Sequence, residues 1–272
     1  MEMIGSRGVG SADGARQYET LRPGQVDVWI LRTDALPAAA LDAMLRLLSP
    51  AELERNARYR FVRDRELHAF GRGLTRILLS RYASRDPAEW SIGTEASGRP
   101  FVENPVSTAD PAPGALDFNI SHTPGLVAVA LGCDVRVGVD VERRSDHLAD
   151  PAIARAILAP EEGRRLTMFP PDERPYRLRR LWTLKEALTK ATGKGLALDV
   201  RGIQFEIDSP GTGPRLRPGT VARVVGPSEE WWFHEAVLEG NIGLAVAVHS
   251  PRHPCRPVRL RPFEYADLLS SA

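Results

Sequence analysis

The chain has 272 residues, 43% of them hydrophobic and 26% charged, which is an ordinary globular composition with room for one large domain or two small lobes. A net charge of +1 supplies no overall field for nucleic acid, and no apolar run approaches the roughly 20 residues of a membrane span. No secretory signal is visible at the N-terminus, and Cys133 and Cys255 have neither metal-ligand spacing nor a disulfide framework, so the reading is a cytoplasmic protein.

In chain order, residues 1–19 are rich in Gly, Ser and charge without periodicity and read as a disordered leader. Val26 to Leu31 alternates as a strand does, and Leu36 to Leu48 has helical spacing. Ser49-Pro50 with Glu52 marks the start of a further helix. Leu67, Phe70, Leu74, Ile77 and Leu78 recur at three- and four-residue steps and predict a helix over 64–82. Residues 103–115 hold several Pro and Gly and read as a loop. Phe118 to Ile120 and Leu126 to Leu131 are expected as strands around a Ser-His-Thr-Pro-Gly turn, and Val137 to Val141 as another.

The pattern then turns helical, at Ala152 to Leu158, from Pro160, and from Pro175 to Thr192, where Gly193 is placed to cap the C-terminus. Strands are expected at Ile203 to Ile207, Val221 to Val225, Trp231 to Leu238 and Leu244 to Val248. Strand, helices, strands, and then the same order again, imply an α+β fold of two lobes, 20–132 and 133–262, with a tail at 263–272.

Four constellations carry possible chemistry. In Val137-Gly138-Val139-Asp140-Val141-Glu142 the two carboxylates fall on one face of a strand and the valines on the other. Neighbouring carboxylates repel unless a cation sits between them, and magnesium accepts one or two protein carboxylates together with substrate phosphates. The bland alternative is a strand end with solvated acids paired to Arg143 and Arg144. The second is a helix on which Trp182, Glu186 and Lys190 share a face at i, i+4 and i+8. Of the 36 basic residues 33 are arginine, and the three lysines, Lys185, Lys190 and Lys194, all fall in this stretch. That points to a compact, titratable ammonium, against the alternatives of chance and of a plain surface Glu–Lys pair. Third, Ser121-His122 offers a hydroxyl and an imidazole as phosphate donors, or a turn histidine with only local bonds. Fourth, Arg55, Arg58, Arg60, Arg63, Arg65, Arg72, Arg76 and Arg99 are candidate phosphate forks, although most must be solvated surface. No Gly-x-Ser-x-Gly elbow and no Walker spacing is present, which disfavours an acyl-transfer triad and P-loop hydrolysis.

Taken in order, these segments resemble the 4′-phosphopantetheinyl transferase superfamily in its larger, monomeric, surfactin-synthetase-activating type. The resemblance rests on Gly138-Val139-Asp140-Val141-Glu142, on Trp182-x-x-Lys185-Glu186-x-x-x-Lys190 running into Gly193-Lys194-Gly195-Leu196, and on Phe118-Asn119-Ile120-Ser121-His122. Gly98-Arg99-Pro100 is similar to the family's Gly-Lys-Pro, with arginine for lysine, and Arg72 to Arg76 to its Gly-Arg helix. It covers about residues 25–250.

The resemblance implies two pseudo-symmetric lobes, each a small sheet packed against helices, with coenzyme A in the cleft between them. It implies Mg²⁺ held by Asp140, Glu142 and Glu186. Glu186 would be the base for a carrier serine, directly or through a coordinated water, Lys190 would support developing charge, and His122 would assist. Ser121 and His122 would meet phosphates, Gly98, Arg99 and Pro100 would lie along the nucleotide, and Arg55 and Arg72 would contact the coenzyme. The implied reaction moves phosphopantetheine from coenzyme A to a serine of an apo carrier protein, fatty-acid, polyketide or peptidyl, and releases 3′,5′-adenosine bisphosphate. The alternatives are a non-catalytic coenzyme A- or carrier-binding module and a Mg-dependent nucleotide pyrophosphohydrolase. Carriers are acidic, so Arg174, Arg177, Arg179 and Arg180 are expected to face one, unless they form a solvated surface.

Overall fold

The computed structural model describes residues 19–104, 115–143, 151–207, 213–217, 225 and 227–269. Nearly all of the expected leader, most of the expected 103–115 loop and most of the strand expected at Val221–Val225 lie outside the described residues.

The first half runs β1 (Val26–Arg32), α1 (Ala38–Leu47), α2 (Pro50–Ala57), α3 (Val62–Tyr82), β2 (Ile92–Thr94), β3 (Pro100–Val102), β4 (Leu116–Thr123) and β5 (Leu126–Cys133). The second runs β6 (Arg136–Arg143), α4 (Pro151–Ile157), α5 (Pro160–Thr167), α6 (Arg174–Thr192), β7 (Phe205–Glu206), β8 (Arg215–Leu216), β9 (Trp231–Leu238), β10 (Ile242–His249), β11 (Arg259–Phe263) and α7 (Tyr265–Leu269). Local chemistry sets several boundaries. Ser49 and Glu52 form a capping box at the start of α2, each side chain taking the other's backbone N–H. α6 ends at Gly193, whose φ of 67° is the left-handed cap that glycine adopts without strain.

Two sheets carry the fold, in strand orders β11-β1-β5-β4 and β6-β10-β9. Period-two alternation gives each strand two faces. On the first sheet Trp29, Leu31, Val127, Val129 and Leu131 pack against Met44 of α1 and Leu74 and Leu78 of α3. Its opposite face, with Val26, Val28, Ala128 and Ala130, meets Val137, Val139, Val141, Leu244, Val246 and Val248 of the second sheet. Ala245 and Ala247, on the far face of that sheet, are covered by Leu184, Ala187, Leu188 and Ala191 of α6. The result is an α+β sandwich of helix, sheet, sheet and helix. The segment 259–263, which spans the expected end of the second lobe at 262 and the start of the tail, hydrogen-bonds in parallel with β1 and so completes the first sheet.

The sheets are also joined edge to side chain. β6 pairs with β10 along one edge, which leaves alternate N–H groups on its other edge without ladder partners. The N–H groups of Val137, Val139 and Val141 donate to Asp117 Oδ2 at 2.8 Å, Asn119 Oδ1 at 3.0 Å and Ser121 Oγ at 3.2 Å. Alternate side chains of β4 thus stand in for the missing strand. This corrects one expectation: Ser121, His122 and Thr123 belong to β4, and only Pro124-Gly125 forms the turn.

α6 lies directly on β6 because position 138 has no side chain. A Cβ there would fall 2.0 Å from the Ala187 carbonyl oxygen and 2.5 Å from the Ala191 nitrogen. Both are helix backbone, so neither can swing aside. Gly138→Ala is expected to force the helix off the strand at a cost of about 1–3 kcal/mol or more. A thermal melt checks this, and an unchanged Tm would contradict the close packing.

Candidate active site

Along α6, Trp182, Glu186 and Lys190 are half-buried while the residues between them are buried, so one stripe opens outward from a helix otherwise sunk in the core. The stripe forms one wall of a cleft of about 560 Å³ between the two halves, opposite Asn119 and Ile120 of β4 and the Ser97–Pro100 turn. Ile157, Leu198 and Val200 give the cleft an apolar side.

β6 meets this stripe through two hydrogen bonds. Lys190 Nζ lies 2.7 Å from Asp140 Oδ1 and donates to Ser121 Oγ at 2.9 Å. Trp182 Nε1 donates to Glu142 Oε1 at 3.0 Å. Ser121 in turn donates to Asp140 Oδ1 at 3.1 Å while accepting from Val141 N–H. Ser121 is therefore part of the seam between the halves, with its oxygen already engaged on both sides.

The three carboxylates share one electrostatic neighbourhood. Burial and then the charge of Asp140 push the Glu142 carboxyl above the usual range. The same two causes raise Glu186, with Glu142 adding to the repulsion and Lys190 opposing it. Asp140 is 4% exposed, and its Oδ2 is buried without a hydrogen-bond partner. A buried acceptor lacking a donor and two carboxyls held up by like charge fit a hard divalent cation, and the donor set is all oxygen. Among the described residues, no group of three or more His, Cys, Asp or Glu side chains stands arranged as a finished metal cage. The carboxylates are gathered but not converged.

The other sequence candidates fall in different places. Arg99 is 5% exposed and fully engaged. It grips Asp117 through both terminal nitrogens, at 3.1 and 2.7 Å, and donates to the carbonyls of Lys190 and Val137 at 3.0 and 2.8 Å. Its guanidinium ties β3, β4, β6 and α6 together, and Gly98, Arg99 and Pro100 all border the cleft. Arg55 and Arg72 line a separate hollow of about 630 Å³ with Tyr59 and Arg58, bordered by Ile92 and Thr94 of β2. Arg72 Nη1 is buried there without a hydrogen-bond partner. Arg76 is buried too, paired with Glu52 at 2.6 Å and donating to the Trp90 carbonyl. His122 stands accessible at the end of β4, near Lys190, Asp64 and Asp140; the protein around it, and then Lys190, lower its imidazole pKa.

The lysine cluster divides. Lys190 faces the cleft, Lys194 lies exposed beyond the helix, and Lys185 is 0% exposed. Lys185 Nζ sits 2.6 Å from Glu162 and donates to the carbonyls of Ile157, Val200 and Ile203 at 2.8, 2.9 and 2.9 Å. A compact ammonium gathers acceptors around one atom with its three N–H groups and adds the charge attraction of Glu162, which a planar guanidinium fork cannot arrange at a point. Glu162 takes the backbone N–H groups of Ala159 and Phe205, so the pair staples α5 and the segment after α6 to the active helix.

The expected carrier-facing arginines are all engaged within the chain. Arg174 bonds the carbonyls of Phe169 and Thr167. Arg177 pairs with Glu173 and lies 3.4 Å over the Phe169 ring. Arg179 binds Asn241, and Arg180 binds Glu235 at 2.7 Å.

Glu186 and Lys190 on the wall of a cleft, with Asp140 and Glu142 of β6 tied to the same helix face, suit a phosphorylated ligand and a group transfer at phosphorus. Comparison with known proteins agrees with that class. The profile of the 4′-phosphopantetheinyl transferase superfamily matches residues 136–234, and that of the 4′-phosphopantetheinyl transferase N-terminal part matches 37–133. The 4′-phosphopantetheinyl transferase HetI of Nostoc sp. is 30% identical over 84% of this chain and 90% of its own length. A Bacillus subtilis 4′-phosphopantetheinyl transferase is 27% identical over 65% of this chain and 74% of its own length. The solved holo-[acyl-carrier-protein] synthase of Neisseria meningitidis overlays 42% of this chain and 95% of its own, at 23% identity and a TM-score of 0.35. This chain belongs to the 4′-phosphopantetheinyl transferase superfamily.

His68, close to Arg72 and Arg55, gives the N-terminal half a pH-sensitive point. Asn56 Nδ2 donates to the Arg65 carbonyl at 2.7 Å and lies 3.1 Å from His68 Nδ1, which must therefore act as an acceptor on a neutral ring. Burial, then Arg72 and Arg55, lower its pKa to about 4. Unfolded, the ring takes up a proton near pH 6.5; folded, it resists until about pH 4. Stability is thus fully present above the unfolded pKa and is lost as pH falls, by about 3 kcal/mol across that window. His68→Gln is expected to flatten this acid limb in urea melts between pH 7 and pH 4. Parallel limbs for parent and variant would contradict the assignment.

Proposed function

We propose that the cleft between the two halves is where this enzyme moves the 4′-phosphopantetheine group of coenzyme A onto a serine of an apo carrier protein. Relatives across the chain carry the transferase name, which favours neither a non-catalytic binding module nor a nucleotide pyrophosphohydrolase. One observation carries the residue-level reading. Positions far apart in sequence come together beside one cleft: Glu186 and Lys190 of α6 line it, and the 2.7 Å Lys190–Asp140 contact and the Trp182–Glu142 hydrogen bond tie Asp140 and Glu142 of β6 to the same helix face.

In this reading the serine oxygen attacks the β-phosphorus of the coenzyme's diphosphate. The bond from that phosphorus to the bridging oxygen breaks, and 3′,5′-adenosine bisphosphate departs. The serine proton goes to Glu186, whose raised pKa makes it a stronger base than an ordinary carboxylate. Lys190 holds positive charge at the cleft wall as charge develops on the leaving group. Asp140, Glu142 and Glu186 would hold Mg²⁺, which would neutralise diphosphate charge when bound. Ser121 and Arg99 position the halves, Gly98 and Pro100 border the coenzyme, and His122, Arg55 and Arg72 serve its phosphates. A cytoplasmic monomer remains the setting, on sequence grounds alone, with an acyl, polyketide or peptidyl carrier as partner.

Intact-mass analysis of an apo carrier incubated with the protein, coenzyme A and Mg²⁺ tests this. The expected result is a gain of one phosphopantetheine. Asp140→Asn should lower the rate about 100-fold or more, the scale of removing one charge-stabilising group from a reacting centre. Adenosine bisphosphate released with no carrier present, or full activity in the variant, would contradict the reading.

A further inference from the structure

The arginines expected to face a carrier are engaged within the chain, and a different group of cations stands open. Phe61 and Val62, consecutive at the start of α3, are each 59% exposed. Large apolar side chains held together in water and rimmed by polar groups mark an interaction site. The rim here is basic, because Arg58, Arg60 and Arg63 are exposed as well. Arg60 lies over the Phe61 ring at 5.5 Å and has no ion-pair partner among the described residues. Arg58 and Arg63 reach Glu54 and Asp64 only at 3.8 Å, and exposed pairs of that length withhold little charge from a partner.

The pair also stands beside the site. The Phe61 carbonyl accepts the N–H groups of Asp64 and Arg65 at the opening of α3. Asp64 acts electrostatically on His122, which also feels the charge of Lys190. An apolar centre with aromatic and arginine side chains, next to a reacting centre, complements an acidic surface that has an apolar centre of its own.

We infer that Phe61 and Val62, with Arg60 and Arg63 around them, are the docking surface for the acidic carrier whose serine is modified. The apolar pair takes the apolar centre of the carrier, and the guanidinium groups steer its carboxylates. This rests on the carrier transfer proposed above.

The test is steady-state transfer to an apo carrier, with carrier and coenzyme A varied separately. Phe61→Ser with Val62→Ser should raise the KM for the carrier about tenfold and leave kcat and the KM for coenzyme A at parental values. Arg60→Glu with Arg63→Glu should raise it to a similar degree and flatten its dependence on salt. All four side chains are exposed, so the thermal midpoint should stay near that of the parent; if one pair of substitutions prevents folding, the other decides. A folded variant with a parental KM for the carrier overturns the inference. A raised KM for coenzyme A alone overturns it too, by returning the arginines to phosphate binding. So does a parent dimer that the variants dissociate with carrier use unchanged, which would give the patch to a second copy of the chain. A parent that leaves the carrier unmodified overturns the proposed reaction instead.

Discussion

Everything at the site depends on how closely α6 can approach β6. Helix and strand normally keep a layer of side chains between them, and here Gly138 removes that layer at the point of crossing. The helix backbone comes to rest on the strand, Ala187 and Ala191 fill the contact, and Glu186 and Lys190 are carried to the level of Asp140 and Glu142. A methyl group at position 138 would open the distance over which a glutamate and a lysine have to reach. Gly138 is thus the geometric condition for the chemistry of its neighbours.

The second constraint is the seam. Two sheets that present edges to one another must either pair or cover their unpaired backbone groups. This protein answers with side chains: Asp117, Asn119 and Ser121 occupy the three N–H groups of β6, and Arg99 fastens the end of the row to α6. Backbone pairing would have merged the sheets into one surface. Side-chain pairing sets the strands apart, and the cleft opens beside Asn119. The same residues that hold the halves together therefore form part of the wall against which a ligand would lie.

Much of this was legible in the sequence where the signal was local. The alternation of β6 put Asp140 and Glu142 on one side and the valines on the other, and the four-residue steps of α6 put Trp182, Glu186 and Lys190 on one stripe. The helix start at Ser49-Pro50 and the glycine stop at position 193 follow from their residue types and stand as expected. What the sequence hid was non-local. Nothing near Arg259 announces that it will lie beside β1, because a parallel partner more than 200 residues away leaves no periodic mark. Scarcity drew attention to Lys185 as well as Lys190, but only burial shows that one holds carbonyls together while the other faces the cleft. Ser121 and Arg99 also help to hold the two halves together, a task that their residue types alone do not announce.

The central proposal is that the three carboxylates of β6 and α6, gathered beside Lys190, converge on one divalent ion that relieves their repulsion. The direct measurement is calorimetric titration of Mg²⁺ into the coenzyme A complex of the parent and of Glu142→Gln and Glu186→Gln. The account predicts one bound ion in the parent and an affinity lower by about tenfold or more in each variant, the loss expected when one charged ligand is removed. Parent-like binding in both variants would mean that strand and helix do not share the ion, and would contradict the account.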